Sequence, residues 1–292
     1  MLFLKDFRLP NGDVEWNHLA FCTHKTDMTC YSNTNIYPFK IFPQKKLERI
    51  EFEPITVFYG SNGSGKSTLL NVIAEKLSLE RSAPFNKTPL TEDYLNFCDA
   101  GFAFGRNAPR GSRIITSDDV FDFLIDIRSI NDGIDRRRDV LFEEYDRSRE
   151  EAYLLRSLDD FEEFRRRNET KRRTKSEYTS RRLPKEIAGK SNGESAYVYF
   201  TEQIKGNALY LLDEPENSLS AKLQIELAKF IEESARFYNC QFIISTHSPF
   251  LLAMSGAKIY DLDSVPVIKK RWTELENVKK YHEFFEAHKD EF

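Results

Sequence analysis

The chain is poor in cysteine and has no C-x-x-C pair. Its four cysteines, Cys22, Cys30, Cys98 and Cys240, are scattered over 292 residues, so reduced thiols are expected rather than a disulfide framework. His18, Cys22, His24 and Cys30 share one stretch, but their spacing matches no standard zinc pattern and the stretch reads as a loop, so zinc is not expected. No apolar run approaches the roughly 20 residues that a membrane span needs, which excludes membrane insertion. Met1-Leu2-Phe3-Leu4-Lys5-Asp6 is too short and too charged for a signal peptide, and a cytoplasmic protein is expected. Neither sign of charge dominates: Lys+Arg 43 stand against Asp+Glu 47, a formal charge of −4, so no global field marks a nucleic-acid protein. No internal repeat is visible. What is present is a 40% hydrophobic sequence that can bury a large core, as one large domain or one domain carrying a lobe.

The most informative residues are Gly60-Ser61-Asn62-Gly63-Ser64-Gly65-Lys66-Ser67, which complete G-x-x-x-x-G-K-[ST]. Ile55-Thr56-Val57-Phe58-Tyr59 before them reads as a strand, and Leu69, Leu70, Ile73 and Leu77 after them recur at helical spacing. Strand, loop and helix in that order make a phosphate-binding loop. The glycines let successive backbone N–H groups converge on phosphate oxygens where the helix N-terminus adds its positive end, and Thr68 closes the segment GSNGSGKST. Lys66 is expected to reach the β- and γ-phosphates, and Ser67 to ligate Mg²⁺. The implied ligand is a nucleoside triphosphate with its magnesium.

Two later strands point to the same site. Ala208-Leu209-Tyr210-Leu211-Leu212-Asp213-Glu214 is an apolar run that carries two carboxylates to its C-terminal end, where open α/β sheets bind ligands. Asp213 is expected in the Mg²⁺ shell, and Glu214 as the group that orients or deprotonates the attacking water. Phe242-Ile243-Ile244-Ser245-Thr246-His247-Ser248-Pro249 repeats the layout. A helix over 219–238 has room to return and set the two strands parallel, which brings His247 toward the γ-phosphate.

Elsewhere the reading is coarser. Leu2-Phe3-Leu4, Pro38-Phe39-Lys40-Ile41-Phe42 and Leu47-Glu48-Arg49-Ile50-Glu51-Phe52 are expected as strands of an antiparallel edge sheet. Prolines and glycines argue for loops from 82 to 112. Ser117-Asp118-Asp119 cap a helix containing Val120, Phe121, Leu124 and Ile127, and a second helix is expected over 139–167, with Leu141, Tyr145, Ala152, Leu155 and Leu158 in one stripe. Residues 165–182 are strongly basic and nearly free of apolar side chains. They read as a mobile linker or exposed arm, either solvated or able to bind a nucleic-acid backbone.

Taken together, Tyr37-Pro38-Phe39, the segment from Leu47 through GSNGSGKST, Ser191-Asn192-Gly193-Glu194-Ser195, YLLDEPENSLS and STHSP resemble the ATP-binding cassette (ABC) ATPases. Within them they are most similar to the soluble, single-cassette "AAA family ATPase" group related to SMC-like and RecF-like proteins. The resemblance implies an ABC-type α/β P-loop NTPase over 1–292. Its central sheet would be mainly parallel with an antiparallel β edge, and a helical lobe would be inserted at about 112–190. It implies that Ser191 to Ser195 is the signature motif, with Ser191, Gly193 and Glu194 capping the γ-phosphate held by another subunit in a head-to-tail dimer; read from the residues alone, SNGES is a helix cap. The sequence departs from transporter cassettes in lacking the leucine, first glycine and glutamine of LSGGQ, the aspartate that ends the usual D-loop, and a Q-loop glutamine. Asp118 lies near where the soluble group carries an acidic residue and is the candidate for that metal-side position. Tyr37 stands where transporters place an adenine-stacking aromatic, or is a tyrosine of the sheet core. The implied function is Mg²⁺-dependent ATP hydrolysis by an ATP-driven homodimer that acts as a switch or motor on nucleic acid or a partner effector protein, in repair or defence. The alternatives are the nucleotide-binding subunit of an ABC transporter, or a nucleotide-gated scaffold.

Overall fold

Two sheets with different strand chemistry organise the chain, seen in a computed structural model that describes residues 2–22, 36–85, 87–103, 105, 107–150, 174–180, 183 and 191–291. The chain divides into two units, one made of Met1–Val120 with Asn192–Phe292, the other of Phe121–Ser191.

In the first unit the elements run in chain order as β1 (Leu4–Arg8), α1 (Gly12–Cys22), β2 (Arg49–Glu51), β3 (Ile55–Tyr59), α2 (Lys66–Lys76), α3 (Thr91–Phe97), β4 (Asp99–Phe102) and β5 (Arg113–Ile115). The helix α4 (Ser117–Glu150) leads into the second unit, where α5 (Lys175–Ser180) also lies. The first unit resumes with α6 (Asn192–Gln203), β6 (Leu209–Asp213), α7 (Ala221–Phe237), β7 (Gln241–Ser245), α8 (Pro249–Leu252), β8 (Lys258–Asp261), β9 (Ile268–Lys270) and α9 (Glu276–Ala287).

The larger sheet has the order β5-β6-β7-β3-β8-β9, parallel throughout except for the antiparallel edge strand β9. Strands covered on both faces read as continuous apolar runs rather than alternating ones, which is why β3, β6 and β7 stood out in the sequence. Every residue of β3 and β7 is buried. The register aligns Phe58 and Asp213 with Ser245, so β3, β6 and β7 end at one level.

The smaller antiparallel sheet has the order β2-β1-β4. It is tied to the larger one through Gln241, whose side chain is fully buried. Its Oε1 accepts from the backbone N–H groups of Phe3 and Leu4, each at 2.8 Å, and its Nε2 donates to the Leu4 carbonyl at 2.8 Å. Phe7, Ile50, Phe58, Leu69, Leu70 and Ile73 share one core cluster under α2. Burying such side chains stabilises by about 1.5–3 kcal/mol each.

Several local expectations are corrected. Pro38 to Phe42 form turns rather than a strand: Lys40 takes φ +66°, and the reversed chain buries both Phe39 and Phe42 from a non-extended backbone. The third edge strand comes instead from β4, inside the stretch expected to be loops. The prolines there flank α3, β4 and β5 rather than interrupt them. β5, within the expected lobe of 112–190, belongs to the central sheet. The stretch around His18 is the helix α1, not a loop. The His18 ring stacks on Phe39 at 5.5 Å, meets Phe97 edge-on, and its Nε2 lies 3.2 Å from Asp93. The side chain of Cys22 and all of His24 and Cys30 fall outside the described residues.

In the second unit, α4 runs unbroken through the region between the two helices expected there, and its 34 residues span about 50 Å. Gly133 sits mid-helix. Leu141 and Tyr145 of α4 bury against Tyr178 of α5, with Leu183 packed on them. Lys175 to Ser180 are therefore ordered by an apolar contact that the basic composition concealed. Residues 151–173, 181 and 182, with the rest of the expected stripe and most of the basic arm, lie outside the described residues.

Candidate active site

The phosphate loop links β3 to α2, and its geometry follows from its glycines. Gly63 and Gly65 have φ of +80° and +93°, values that side-chain-bearing residues rarely adopt, and Gly65 is the N-cap of α2. Lys66 is therefore the first residue of the helix. Its side chain is 4% exposed, with Nζ donating to the carbonyls of Gly60 at 2.8 Å and Ser61 at 3.1 Å. Ser61, Asn62 and Gly63 are exposed. Asp263, beyond β8, clamps the loop from outside: its carboxylate accepts from Ser61 N–H at 2.7 Å and Ser61 Oγ at 2.9 Å. No motif signalled Asp263.

Asp213 and Glu214 leave β6 in different environments. Asp213 Oδ1 accepts from Ser67 Oγ at 3.0 Å and also from Ser245 Oγ at the end of β7. Burial pushes the Asp213 carboxyl above the usual range, and the two hydroxyl donors counter it. A partly buried carboxylate beside a hydroxyl at a helix N-terminus is an all-oxygen donor set that fits Mg²⁺. Glu214 takes φ +47°, ψ +55°, a left-handed conformation that costs a non-glycine residue about 1–3 kcal/mol and that clusters at functional sites. The outlier is held by Glu214 N–H donating to the Ser245 carbonyl at 3.0 Å, and by Asn217 Nδ2 donating to Glu214 Oε2 at 3.1 Å. Glu214 Oε1 lies 3.6 Å from Lys66 Nζ and 3.9 Å from His247 Nδ1. Lys66, Ser67, Asp213, Glu214 and His247 thus meet at the C-terminal ends of β3, β6 and β7.

The loop of His247 is held by residues that the sequence did not single out. Glu216 Oε1 accepts from Thr246 Oγ1 at 2.6 Å and from His247 N–H at 2.9 Å. Asn277 of α9 donates through Nδ2 to the His247 carbonyl at 3.4 Å, and its N–H donates to the Tyr59 hydroxyl at 3.1 Å. An open groove of about 1050 Å³ runs beside this loop, with Leu219, His247, Phe250, Trp272, Val278 and Phe285 among its lining residues.

The remaining candidates are placed as follows. Thr68 lies in the first turn of α2, and Tyr37 reaches it. Burial raises the Tyr37 phenol while a hydrogen bond with the Thr68 side chain lowers it, and the charge of Asp213 acts on it as well. Tyr37 is half-buried beside the phosphate-loop helix, so the reading as a sheet-core tyrosine does not hold. Asp118 is exposed on the first turn of α4, just beyond β5 and next to the end of β6. No hydrogen bond or ion pair among the described residues joins it to Ser67 or Asp213. Its neighbour Asp119 is buried, accepting from the N–H groups of Ala83 and Thr116, each at 2.7 Å, and from Thr116 Oγ1 at 2.9 Å.

Ser191 precedes α6, whose first turn contains Gly193 and Glu194. A Cβ on Gly193 would come within 3.0 Å of Leu223 Cδ1 and 3.3 Å of the Ser218 carbonyl, so glycine lets α6 pack closely on the turn after Glu214.

A family model described as "ABC transporter" matches residues 49–217, and one described as "AAA domain, putative AbiEii toxin, Type IV TA system" matches residues 191–253. No curated protein matches the chain. Among solved structures the chain is similar to the SMC head domain from Thermotoga maritima, at 13% identity, covering 92% of this chain and 98% of that one with a TM-score of 0.40. It is also similar to the Smc head domain from Pyrococcus furiosus bound to the C-terminal domain of ScpA, at 17% identity, 82% and 95% coverage and a TM-score of 0.37. The ATP-binding cassette MJ0796, solved as a dimer with ADP and Pi, matches at 15% identity, 77% and 88% coverage and a TM-score of 0.37. The first family model covers more than half of the 292 residues, from β2 through the phosphate loop to the turn beyond Glu214, and the chain belongs to that family, the ATP-binding cassette ATPases.

Proposed function

We propose that the chain hydrolyses ATP to ADP and phosphate with Mg²⁺, and that ATP joins two copies head to tail. The observation that carries this reading is the meeting of Lys66, Ser67, Asp213, Glu214 and His247 at one sheet edge, against a glycine-shaped helix N-terminus.

Lys66, with the N–H groups of residues 63–68, binds the β- and γ-phosphates. Ser67 and Asp213 hold Mg²⁺, which when bound neutralises charge on the phosphate oxygens. Glu214 orients a water for in-line attack on the γ-phosphorus and takes up its proton as the bond to the β–γ bridging oxygen breaks. Asn217 holds one carboxylate oxygen, leaving Oε1 toward Lys66 and His247. His247 stabilises charge developing on the γ-phosphate. Asp118 is assigned to the metal side through water.

Ser191, Gly193 and Glu194 act on the second copy's nucleotide, giving an isologous C2 pair in which each site needs the other chain. Phosphate release from ATP tests the chemistry: it should require Mg²⁺ and stop with a chelator. Dimer mass tests the pairing: Ser191→Arg should keep the protein monomeric in Mg-ATP.

The description of the matching family model favours a second reading, a cassette that drives a membrane permease. No helix among the described residues is long and apolar enough to cross a membrane. The altered signature and the missing Q-loop glutamine weigh for a switch acting on nucleic acid or a partner effector. Turnover stimulated by duplex or single-stranded DNA or RNA, rather than by membranes from the source cell, separates the two.

A further inference from the structure

Glu216 is a buried carboxylate that the proposed hydrolysis does not use. It lies on the turn Pro215–Ser218 after β6 and is 6% exposed. A carboxylate so placed is costly unless its oxygens are satisfied. Oε1 is: it takes hydrogen bonds from Thr246 Oγ1 and His247 N–H. Oε2 is buried without a hydrogen-bond partner among the described residues. His247 Nδ1 stands 3.8 Å from Glu216 Oε1 and 3.9 Å from Glu214 Oε1, so the ring faces two carboxylates with neither bond made. The two carboxylates differ in what else they hold. Glu214 already receives Asn217 and faces Lys66, while Glu216 has an oxygen to spare. The peptide groups of His247 are fixed on both sides, N–H by Glu216 and C=O by Asn277, but no hydrogen bond among the described residues holds the partly exposed ring.

We propose that Glu216 is the positioning residue of His247: it anchors the backbone of that residue and accepts Nδ1–H when nucleotide is bound, which turns Nε2 to the γ-phosphate and leaves Glu214 to the water. The 3.8 Å gap is to Oε1, which already accepts two hydrogen bonds, so the ring turns on the carboxylate to bring Nδ1 to the unpartnered Oε2. Set between two acceptors, the ring donates from both nitrogens, Nδ1–H to the carboxylate and Nε2–H to the γ-phosphate, which is the imidazolium form. The inference rests on the hydrolysis reading above.

The test is steady-state ATP hydrolysis, with ATP affinity measured in parallel, on Glu216→Gln, Glu216→Ala, His247→Ala and the double variant Glu216→Ala with His247→Ala. His247→Ala should lower kcat by about 100-fold. Glu216→Gln keeps an oxygen for Thr246 and His247 N–H but presents an amide where the ring needs an acceptor. It should lower kcat by about tenfold, with KM and ATP affinity within about twofold of wild type. The double variant should be no slower than His247→Ala alone, because the two residues act as one unit. Wild-type kcat in Glu216→Gln beside a slow His247→Ala overturns the positioning role and leaves the hydrolysis reading standing, as does a double variant in which the two losses multiply. Wild-type turnover in His247→Ala removes His247 from the chemistry and the positioning role with it while hydrolysis by Glu214 stands, and absence of phosphate release by the wild type sinks the hydrolysis reading itself. Should Glu216→Ala fail to fold, Glu216→Gln alone decides the matter.

Discussion

The two units of the chain use charge in opposite ways. In the first, ionisable side chains are buried where strands end: Lys66, Asp261 and Glu216 are each at most 6% exposed, and Asp213 is desolvated enough for its carboxyl to titrate high. In the second, the charges of α4 lie mostly on exposed faces, as in the pair Arg138 with Asp135 at 2.7 Å, and a small apolar cluster is formed by Leu141, Tyr145, Tyr178 and Leu183. An exposed pair stabilises by about 0–1 kcal/mol. Buried groups at converging strand ends cost stability and are retained where they bind or react. The difference separates a region built around chemistry from one built to hold a long helix in water.

That contrast predicts how each region responds to salt. If the basic residues between 165 and 182 bind nucleic-acid backbone through six or more phosphates, affinity should fall about a thousandfold between roughly 50 and 200 mM salt. ATP affinity at the buried site should change little over the same range. Changing Arg165, Arg166, Arg167, Lys171, Arg172 and Arg173 to Gln should flatten the first dependence and leave the second alone. A gel-shift titration beside equilibrium ATP binding reads both, and no nucleic-acid binding at low salt would leave the arm as a solvated linker.

Next in size is Lys66→Ala. It removes the cation that meets the phosphates and should weaken ATP binding by about 100-fold, equivalent to about 2.7 kcal/mol. A loss below tenfold would break the assignment. Leu141→Ala probes the other region. It should cost about 2–4 kcal/mol of local stability in the small cluster around Tyr145 and Tyr178, seen by hydrogen exchange in α4 and α5, with ATP affinity unchanged. A matching loss of ATP affinity would erase the distinction between the units.

The smallest effect is on stability and has a sign. Burial raises the Asp213 carboxyl in the folded protein above its unfolded value, so ionised Asp213 weighs against folding above the folded pKa, and that penalty fades as pH falls toward the unfolded pKa. Asp213→Asn should therefore raise the melting temperature of the nucleotide-free protein at neutral pH. The gain should shrink on acidification, while hydrolysis is lost at every pH.

The chemistry was legible because it sits on buried parallel strands. Ile55–Tyr59, Leu209–Asp213 and Gln241–Ser245 are apolar runs whose polar tips have nowhere to go but the ligand edge, and the phosphate loop declares itself by its glycines. The residues that hold these tips were not legible. Glu216, Asn277 and Asp263 come from a turn, the last long helix and the end of β8, and reach the site through folding rather than through any local pattern. The edge sheet was half read. Its third strand, Asp99–Phe102, carries too little apolar sequence to show, whereas Pro38 to Phe42 imitated a strand by burying two phenylalanines from a turn. The break expected in α4 failed because a helix with many charges tolerates a low-apolar middle, and Gly133 costs it only about 1 kcal/mol.

The central claim, that Glu214 turns bound ATP into ADP and phosphate, is tested most directly by single-turnover hydrolysis on Glu214→Gln beside wild type, with bound nucleotide recovered and identified. The account predicts that the variant binds Mg-ATP as tightly as wild type and returns it intact, with turnover lower by about 100-fold or more. Equal turnover in the two proteins, or ADP recovered from both at the same rate, would contradict it.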